Sequence, residues 1–321
     1  MTATITYSPA YTLVPTYECF NHCSYCNFRV SPGTDSWLTL SNAEETLKSL
    51  DTTIEVLILS GEVHPQNPRR QNWFSHIHDL CELAIDQGFL PHTNAGPVSF
   101  EEMSSLKQVN VSMGLMLEQL TPRLLDHVHR HAPSKQPEVR LQQLIWAGEL
   151  GIPFTTGLLL GIGETETDWD ETLDAIATLH HRHGNIQEVI LQPHQPGNRQ
   201  QLLGAPCDDA MLLKAVKKAR DRLPNDIAIQ IPPNLVQRAE TVIACLDAGA
   251  TDLGGIGPID EVNPTYPHQR LKVLKELLKD HGYNLTPRLP LYPQYDDWLP
   301  PTLKTKVQLW RTRLDLDEIK Y

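Results

Sequence analysis

The chain alternates apolar, often β-branched runs with segments of helical periodicity, and this alternation limits its fold more than any other feature. Helical segments at 137–151 and 165–184 end at Gly151 and Gly184, as helices often do. Strands that alternate with helices form parallel sheets with right-handed crossovers. The pattern therefore predicts an α/β fold, a (β/α) barrel, with strands at 12–15, 54–60, 88–94, 108–117, 152–161, 186–193, 226–233 and 250–257.

The sequence favours a single barrel domain over residues 1–321. There is no linker rich in Gly and Ser, no internal repeat and no low-complexity tract. We expect about ten N-terminal residues to be peripheral, and the Pro-rich stretch from 284 to wrap the outside of the barrel. A helix over 40–50 is predicted to begin with a capping box, in which Ser41 precedes Glu44 by three residues.

The charge and the N-terminal stretch narrow the possible partners and the compartment. A formal net charge of −12 with no long basic run argues against nonspecific nucleic-acid binding. No run approaches the roughly 18 apolar residues of a membrane span, and no secretory signal is recognisable at the start. We therefore expect a cytoplasmic protein without nucleic-acid or membrane partners, in which thiols stay reduced.

Three of the six cysteines lie in one short stretch, YECFNHCSYCNFR at residues 17–29. Cys19, Cys23 and Cys26 follow the first predicted strand, at the barrel end where such enzymes place their chemistry. The C-x3-C-x2-C spacing lets three thiolates converge on a soft metal centre. Three thiolates on a four-iron cluster leave one iron open, whereas structural zinc wants four ligands. An iron–sulfur cluster is favoured over zinc and over unconnected thiols, and His22 is a further candidate ligand.

The remaining cysteines, Cys81, Cys207 and Cys245, are expected to be core residues. The cysteine motif, with aromatic Tyr25 before its last cysteine, resembles that of the radical S-adenosylmethionine (SAM) superfamily. The resemblance implies a six-strand barrel core, completed here to eight strands. It also implies a 4Fe-4S cluster and SAM as cofactors. SAM binds the open iron and is cleaved to a 5′-deoxyadenosyl radical, which takes hydrogen from a substrate.

The resemblance implies further cofactor contacts at the ends of the second and fourth strands. Ser60, Gly61 and Glu62 stand where the superfamily has a Gly-Gly-Glu-like turn that holds the SAM amino group; the alternative is an ordinary turn. Glu118 stands where a ribose-binding acid is expected, and the alternative is an acid at a helix start.

Lys135 is expected to pair with the SAM carboxylate, with Arg130 and Arg140 as rivals and a surface lysine as the alternative. Gly161 and Gly163, in GLLLGIGET, resemble the adenine-side motif after the fifth strand. Glycines there would let the backbone approach a flat ring.

Histidine clusters at 127–131 and 180–183 suggest metal binding, but a structural role is favoured for the first and a solvated helix end for the second. No catalytic side chain can be assigned from the sequence. Weak candidates for substrate contact or proton transfer follow predicted strands, namely His64, His92, Asn94 and His194.

Strings along the chain resemble one family within the superfamily, the first subunit of 7,8-didemethyl-8-hydroxy-5-deazariboflavin (FO) synthase. They include HTNAGP, SMGLMLEQ, HRHAPSK, IPFTTGLLLGIGET, IQEVILQP, IPPNL and GGIGPIDEVNP. The resemblance implies that a companion FO synthase subunit joins a tyrosine-derived 4-hydroxybenzyl group to a ribitylaminouracil. This chain would then close the ring of that small-molecule adduct and release ammonia. Reduced flavodoxin or ferredoxin is the implied electron donor.

Two kinds of alternative remain at this point. One is another member of the superfamily, such as the second FO synthase subunit, a menaquinone-pathway cyclase or biotin synthase. The other is a noncatalytic barrel that binds a metal for structure alone.

Overall fold

Nine strands form one parallel sheet in the computed structural model, which describes residues 3–202 and 206–316. The order is β2-β3-β4-β5-β6-β7-β8-β1-β9, and an additional β1–β2 pairing closes eight strands into a barrel. The strands are β1 (Ala3–Leu13), β2 (Glu55–Leu59), β3 (Leu90–Asn94), β4 (Ser112–Gly114), β5 (Phe154–Leu160), β6 (Ile186–Pro193), β7 (Ala228–Gln230), β8 (Asp252–Ile256) and β9 (Tyr283–Pro287).

Helices cover the outside of the barrel and connect successive strands, as the alternating pattern predicted. In the described part of the chain they are α1 (Leu40–Lys48), α2 (Arg70–Asp86), α3 (Phe100–Leu106), α4 (Pro137–Glu149), α5 (Glu166–His183), α6 (Asp209–Arg222), α7 (Ala239–Asp247), α8 (Leu271–Asp280) and α9 (Pro301–Asp315). The prediction of an α/β barrel with eight strands is confirmed.

Local sequence explains most helix ends. At α5, Thr165 and Asp168 form a capping box, and Gly184 follows with φ +67°, a left-handed conformation that costs glycine little. The prediction for α1 was wrong in its cap. Thr39 accepts the hydrogen bond from Asn42, so the helix begins two residues before the predicted Ser41 box. Thr39 and Ser41 both offer a hydroxyl near the start of this helix, and the structure uses that of Thr39 as the cap.

The N-terminal residues are part of the barrel, contrary to the prediction that the first ten are peripheral. β1 starts at Ala3, and Ile5 and Tyr7 are buried. Its first half pairs with β9 and its second half pairs with β2. β1 pairs with β2, β8 and β9 along different parts of its length, and its buried positions neither alternate nor form one apolar run, so a search for such patterns misses its first half.

The Pro-rich C-terminal stretch covers the end of the barrel at which the strands begin. We had expected this stretch to wrap the outside of the barrel instead. Leu289, Leu291 and Tyr295 are buried against Ile54 and Leu90, which lie at the starts of β2 and β3. This segment also carries Arg288 into the barrel, where it forms ion pairs with β6 and β8. A single domain over 1–321 stays a prediction, since it extends beyond the described residues. Within those residues, no helix is long and apolar enough to span a membrane.

Candidate active site

The cysteine loop leaves β1 at the barrel mouth and is held by a buried carboxylate. Glu18 accepts hydrogen bonds from the backbone N–H of Gly33 (2.7 Å) and Asp35 (3.2 Å) and from Arg69 (2.9 Å). Burial opposes ionisation of Glu18, but these bonds outweigh it and lower its pKa. The N–H of Cys19 donates to the carbonyl of Val30 at 3.2 Å, and the N–H of Val30 donates to the carbonyl of Tyr17 at 2.9 Å, which joins the two ends of the loop. Hydrogen bonds within the protein therefore define the shape of the cysteine loop.

The three cysteines of this loop are free and half-buried. Burial raises the pKa of Cys19 to about 11 and that of Cys23 to about 12, and the nearby Glu62 carboxylate adds to both shifts. The thiols therefore need a cationic centre to become thiolates. His22, the further candidate ligand, is exposed and lies 3.3 Å from the Arg29 guanidinium, so the structure does not bring it to the thiols.

The distances between the three cysteine sulfur atoms indicate whether the thiols already stand as ligands of one metal ion. In the described residues, only His78, Asp79 and Glu82 on α2 offer three ligand atoms all within 4.8 Å of one another. The three cysteine sulfurs are therefore spread more widely than that. Thiolates on one tetrahedral zinc are roughly 3.8 Å apart, given a Zn–S bond of about 2.3 Å. The three thiols, as they stand in the protein, are therefore not placed as ligands of a single zinc ion. The His78 group itself lies on the surface of α2.

The turn after β2 packs against the start of the cysteine loop. The N–H of Gly61 donates to the carbonyl of Thr16 at 2.8 Å. A Cβ atom at Gly61 would lie 2.1 Å from the carbonyl oxygen of Glu18, so only glycine fits. Ser60 is held by Trp73 of α2, whose indole N–H donates to its hydroxyl at 3.0 Å. The Ser60 hydroxyl also donates to the carbonyl of Gly61 at 2.9 Å, so the side chain is fully engaged within the turn.

Glu62 is the centre of a polar network. It accepts hydrogen bonds from Asn21 (2.8 Å), Arg140 (3.2 Å) and the hydroxyl of Ser134. A Cβ atom at Gly96 would lie 2.3 Å from Cγ of Glu62, so glycine there leaves room for the glutamate. Sequence reasoning missed Asn21, Ser134 and Gly96, and considered Arg140 only as a rival of Lys135. Of these residues, only Gly96 could have been noticed in the sequence, because it follows a predicted strand in HTNAGP.

Glu118 and Lys135 form a buried ion pair at 2.5 Å. Glu118 is the one non-glycine residue with a positive φ (+63°) in the described part of the chain, a strained conformation typical of functional sites. Burial would raise its pKa, but the charges of Lys135 and Arg140 outweigh that effect and lower it. Burial and Arg140 would lower the pKa of Lys135, but Glu118 and Cys23 raise it. Both side chains therefore remain charged.

The histidine clusters have structural partners. Tyr25 of the cysteine loop bonds to His129 at 3.0 Å, and burial lowers the pKa of His129 to about 3, so its imidazole is neutral. His180 is buried at the end of α5 and lies 3.1 Å from Asp226, whereas His181 is exposed. The structural role predicted for the first cluster agrees with these contacts. The prediction of a solvated helix end for the second cluster was wrong for His180, because its side chain is buried and pairs with Asp226.

The loop after β5, which contains Gly161 and Gly163, makes its polar contacts within itself. Gly161 and Gly163 have φ of +87° and +112°. The backbone N–H groups of Gly161 and Ile162 donate to the carboxylate of Glu164 at 2.7 and 2.8 Å. Neither glycine lines the cavity, although Leu159 of the preceding strand does.

Two connected cavities occupy the barrel mouth and interior. The upper one, about 220 Å³, is lined by Cys26, Tyr25, Ser60, Glu62, Asn94, Glu118, Lys135, Arg140 and His194 among others. The lower one, about 210 Å³, lies inside the barrel and includes His92 and Asn94. Several residues line both, including Leu59, Asn94, Met116 and Gln192. His64 lines neither cavity and is exposed. Cys81, Cys207 and Cys245 are buried, as predicted.

Comparisons with known proteins agree with this arrangement. Residues 13–176 match the Radical SAM superfamily. The chain is 63% identical to the 7,8-didemethyl-8-hydroxy-5-deazariboflavin synthase of Trichormus variabilis, over 95% of this chain and 91% of that protein. It is 64% identical to the protein of the same name from Thermosynechococcus vestitus, over 95% of this chain and 98% of that one.

Solved structures with the same fold are more distant in sequence. The FeFe-hydrogenase maturase HydG from Carboxydothermus hydrogenoformans superposes with a TM-score of 0.73 at 17% identity, over 98% of this chain and 79% of that chain. Methylornithine synthase (PylB) superposes with a TM-score of 0.68 at 16% identity, over 92% and 86% respectively. These likenesses concern the fold alone. On the sequence matches, the chain belongs to the radical SAM superfamily and, within it, to the family of 7,8-didemethyl-8-hydroxy-5-deazariboflavin synthases.

Proposed function

We propose that this chain is the first-subunit FO synthase, which completes the deazaflavin ring system. Its substrate is 5-amino-5-(4-hydroxybenzyl)-6-(D-ribitylimino)-5,6-dihydrouracil, which closes to FO with loss of ammonia. The observation that carries the proposal is the cavity at the barrel mouth, which is lined by Cys26 of the three-cysteine loop and by two buried ion pairs, Glu118–Lys135 and Glu62–Arg140, and which shares lining residues with the cavity inside the barrel.

Cys19, Cys23 and Cys26 would hold a 4Fe-4S cluster with one open iron. Three free thiols in one loop at the barrel mouth, with Cys26 lining the cavity there, support this assignment. When bound, the cluster supplies the electron that cleaves SAM and so starts the radical chemistry.

The chain's own charges would bind and orient SAM, which carries an amino group, a carboxylate and a ribose. Glu62 faces the cavity beside the cysteine loop and would accept the amino group. Lys135 would pair with the carboxylate, and Glu118 would accept hydrogen bonds from the ribose hydroxyls. Glu118 and Lys135 form an ion pair at 2.5 Å. On binding, SAM would replace this ion pair with two contacts of its own, one between its carboxylate and Lys135 and one between its ribose and Glu118.

The lower cavity would hold the adduct. Its lining includes His92, Thr155, Gln192, Gln230 and Asn234, which offer hydrogen bonds suited to a ribityl chain and a uracil ring. The barrel wall around it would exclude water from the reacting carbon atoms. A companion subunit would supply the adduct, and reduced flavodoxin or ferredoxin would supply electrons.

Anaerobic reconstitution with iron, sulfide and purified adduct tests the proposal, with deazaflavin fluorescence as the readout. We expect FO and 5′-deoxyadenosine from the adduct, and no FO from tyrosine plus 5-amino-6-ribitylaminouracil. The reverse substrate preference would identify the second subunit instead. A colourless protein with bound zinc and no SAM cleavage would identify a noncatalytic barrel.

A matched pair of cysteine variants tests the cluster assignment. Cys23→Ala should abolish 5′-deoxyadenosine formation, because two thiolates cannot hold the cluster in place. Cys245→Ala removes a buried thiol from α7 and should keep both iron and cleavage. Equal cleavage by the two variants would contradict the assignment.

A further inference from the structure

The floor of the lower cavity is built partly by the C-terminal segment that follows β9. Arg288 and Pro290 both line this cavity, opposite the mouth where the cysteines lie. Arg288 is buried and holds Asp252 of β8 with two hydrogen bonds, at 2.6 and 2.9 Å. The same guanidinium donates to Glu188 of β6 at 2.7 Å. One cation therefore serves two buried carboxyl groups.

Glu188 lines the same cavity, and its buried position among these groups favours its protonated form. Burial raises its pKa to about 8, and the neighbouring carboxylates of Asp252 and Glu55 add to the rise although Arg288 opposes it. Asp252 takes the bidentate contact and a further bond from Thr6, so its pKa is lowered despite burial. Thr155 and the hydroxyl of Tyr292 also contact Glu188, each at 3.3 Å, and the amide of Gln230 faces it.

His92 of β3 lines the same cavity as a fixed hydrogen-bond acceptor. Ser112 donates its hydroxyl hydrogen to the carbonyl of Pro290 at 2.5 Å, so its oxygen accepts from Nδ1–H of His92 at 2.7 Å. Nε2 of His92 therefore carries the lone pair. Burial and the charge of Arg288 lower the pKa of His92 to about 3, so the imidazole does not take up a proton at neutral pH. Gly114 leaves room for Nε2, because a Cβ atom there would lie 2.8 Å from it.

We propose that Glu188 is the proton-transfer group for ammonia release, and that Nε2 of His92 orients the substrate by accepting one of its N–H or O–H groups. The inference rests on the proposed function, which leaves the proton-transfer group unassigned. A carboxyl group is able to act first as an acid and then as a base at neutral pH when its pKa is close to that pH.

The step is an elimination that needs no oxidant. The O–H bond of Glu188 breaks, and its proton moves to the amine nitrogen on the quaternary ring carbon. The C–N bond breaks with its electron pair on nitrogen, which leaves as ammonia. The electron pair of a neighbouring benzylic C–H bond forms the new C=C bond. The proton from that carbon passes to the Glu188 carboxylate and restores the acid.

Glu188→Gln in the full-length, reconstituted enzyme tests this role. Glutamine keeps the size and neutrality of the protonated acid but transfers no proton. We expect FO formation and ammonia release to fall by roughly 100-fold or more. The rate of SAM cleavage in the absence of substrate should stay within about threefold of the wild-type rate, and so should the iron content. This margin is well below the expected loss of FO formation. FO formation by Glu188→Gln within about threefold of wild type would overturn the proposal.

Control variants separate this role from a loss of folding. Asp209→Asn also replaces a buried carboxyl group by an amide, but outside the barrel, where Asp209 bonds to Arg238 and Thr241; although it also removes a charge, it should keep FO formation. If Glu188→Gln also loses iron, Glu188→Ala titrated with formate decides. Recovery of FO formation supports the proposal, and no recovery at any formate concentration refutes it. A wild-type enzyme that makes no FO would instead refute the proposed function.

The orienting role of His92 has its own readout. Ser112→Ala removes the acceptor that fixes the His92 tautomer without touching the substrate. We expect the KM for the adduct to rise by about tenfold, the effect of one lost hydrogen bond, with kcat largely retained. An unchanged KM would show that the tautomer does not matter.

Discussion

Gly61→Ala tests whether the contact between the β2 turn and the cysteine loop sets the geometry of the site. A methyl group at Gly61 would lie 2.1 Å from the carbonyl oxygen of Glu18, 2.6 Å from its carbonyl carbon and 3.0 Å from that of Tyr17. All three atoms belong to the backbone of the loop that carries the cysteines. No side-chain rotation relieves these contacts, so the loop itself must move.

The size of the effect follows from these distances. Ordinary carbon contacts begin at about 3.5 Å, so the loop must shift by roughly 1 Å or more. Overpacking of this kind costs about 1–3 kcal/mol, and the hydrogen bond from Gly61 to Thr16 adds about 1 kcal/mol if it breaks. Misplacement of reacting groups by about 1 Å lowers rates by roughly 100-fold. We therefore expect a folded protein in which SAM cleavage falls by about two orders of magnitude.

The assay compares 5′-deoxyadenosine formation under dithionite, iron content and urea unfolding for the wild type and two variants. Gly184→Ala is the control, since Gly184 has φ +67° with no atom within 4 Å of the added methyl group. It costs stability through backbone strain, by about 1 kcal/mol, but lies at the end of α5. Reduced stability with normal cleavage in both variants would refute the idea that this contact positions the cluster loop.

Three further predictions concern the buried charges. Lys135→Met should cost about 3–5 kcal/mol in urea unfolding because it leaves Glu118 buried without a cation, and adding Glu118→Gln should recover part of that loss. Arg288→Met should destabilise by a similar amount, since the ionised Asp252 loses its cation, and unchanged unfolding would contradict the ion pair between Arg288 and Asp252. The wild type should lose stability relative to Glu188→Gln as pH rises from about 4.5 to about 8, because only the folded state holds the Glu188 proton in that window. Urea unfolding at several pH values should show a slope of at most about 1.4 kcal/mol per pH unit.

The elements that depend on local pattern were predictable from the sequence. β6 has the predicted bounds, and the end of α5 at Gly184 follows from glycine's freedom in the left-handed region. The three-cysteine motif could be placed at the barrel mouth because a strand precedes it. Each of these features depends on residues adjacent in the chain.

Features that depend on distant parts of the chain were missed. Gly96 shows its purpose only when β2 and β3 are paired and Glu62 fills the space beside it. Arg288 looks like a surface residue in a Pro-rich stretch, because nothing near it in sequence reveals its two carboxylate partners, Glu188 and Asp252, which lie 100 and 36 residues away. Contacts of this kind are set by barrel closure, which a periodicity argument does not describe.

The charges inside the barrel are divided between its two ends in a way that matches the two molecules proposed to meet there. At the mouth, Glu118 and Lys135 are fully ionised and paired, as the binding of a zwitterionic, ribose-bearing cosubstrate requires. At the floor, Arg288 neutralises Asp252, so the cavity presents a neutral imidazole and a protonated Glu188. Neutral hydrogen-bonding groups suit a polyhydroxylated, largely uncharged substrate, because they cost less to bury than unpaired charges. The C-terminal segment is therefore a part of the site, since without its guanidinium the floor would carry uncompensated negative charge.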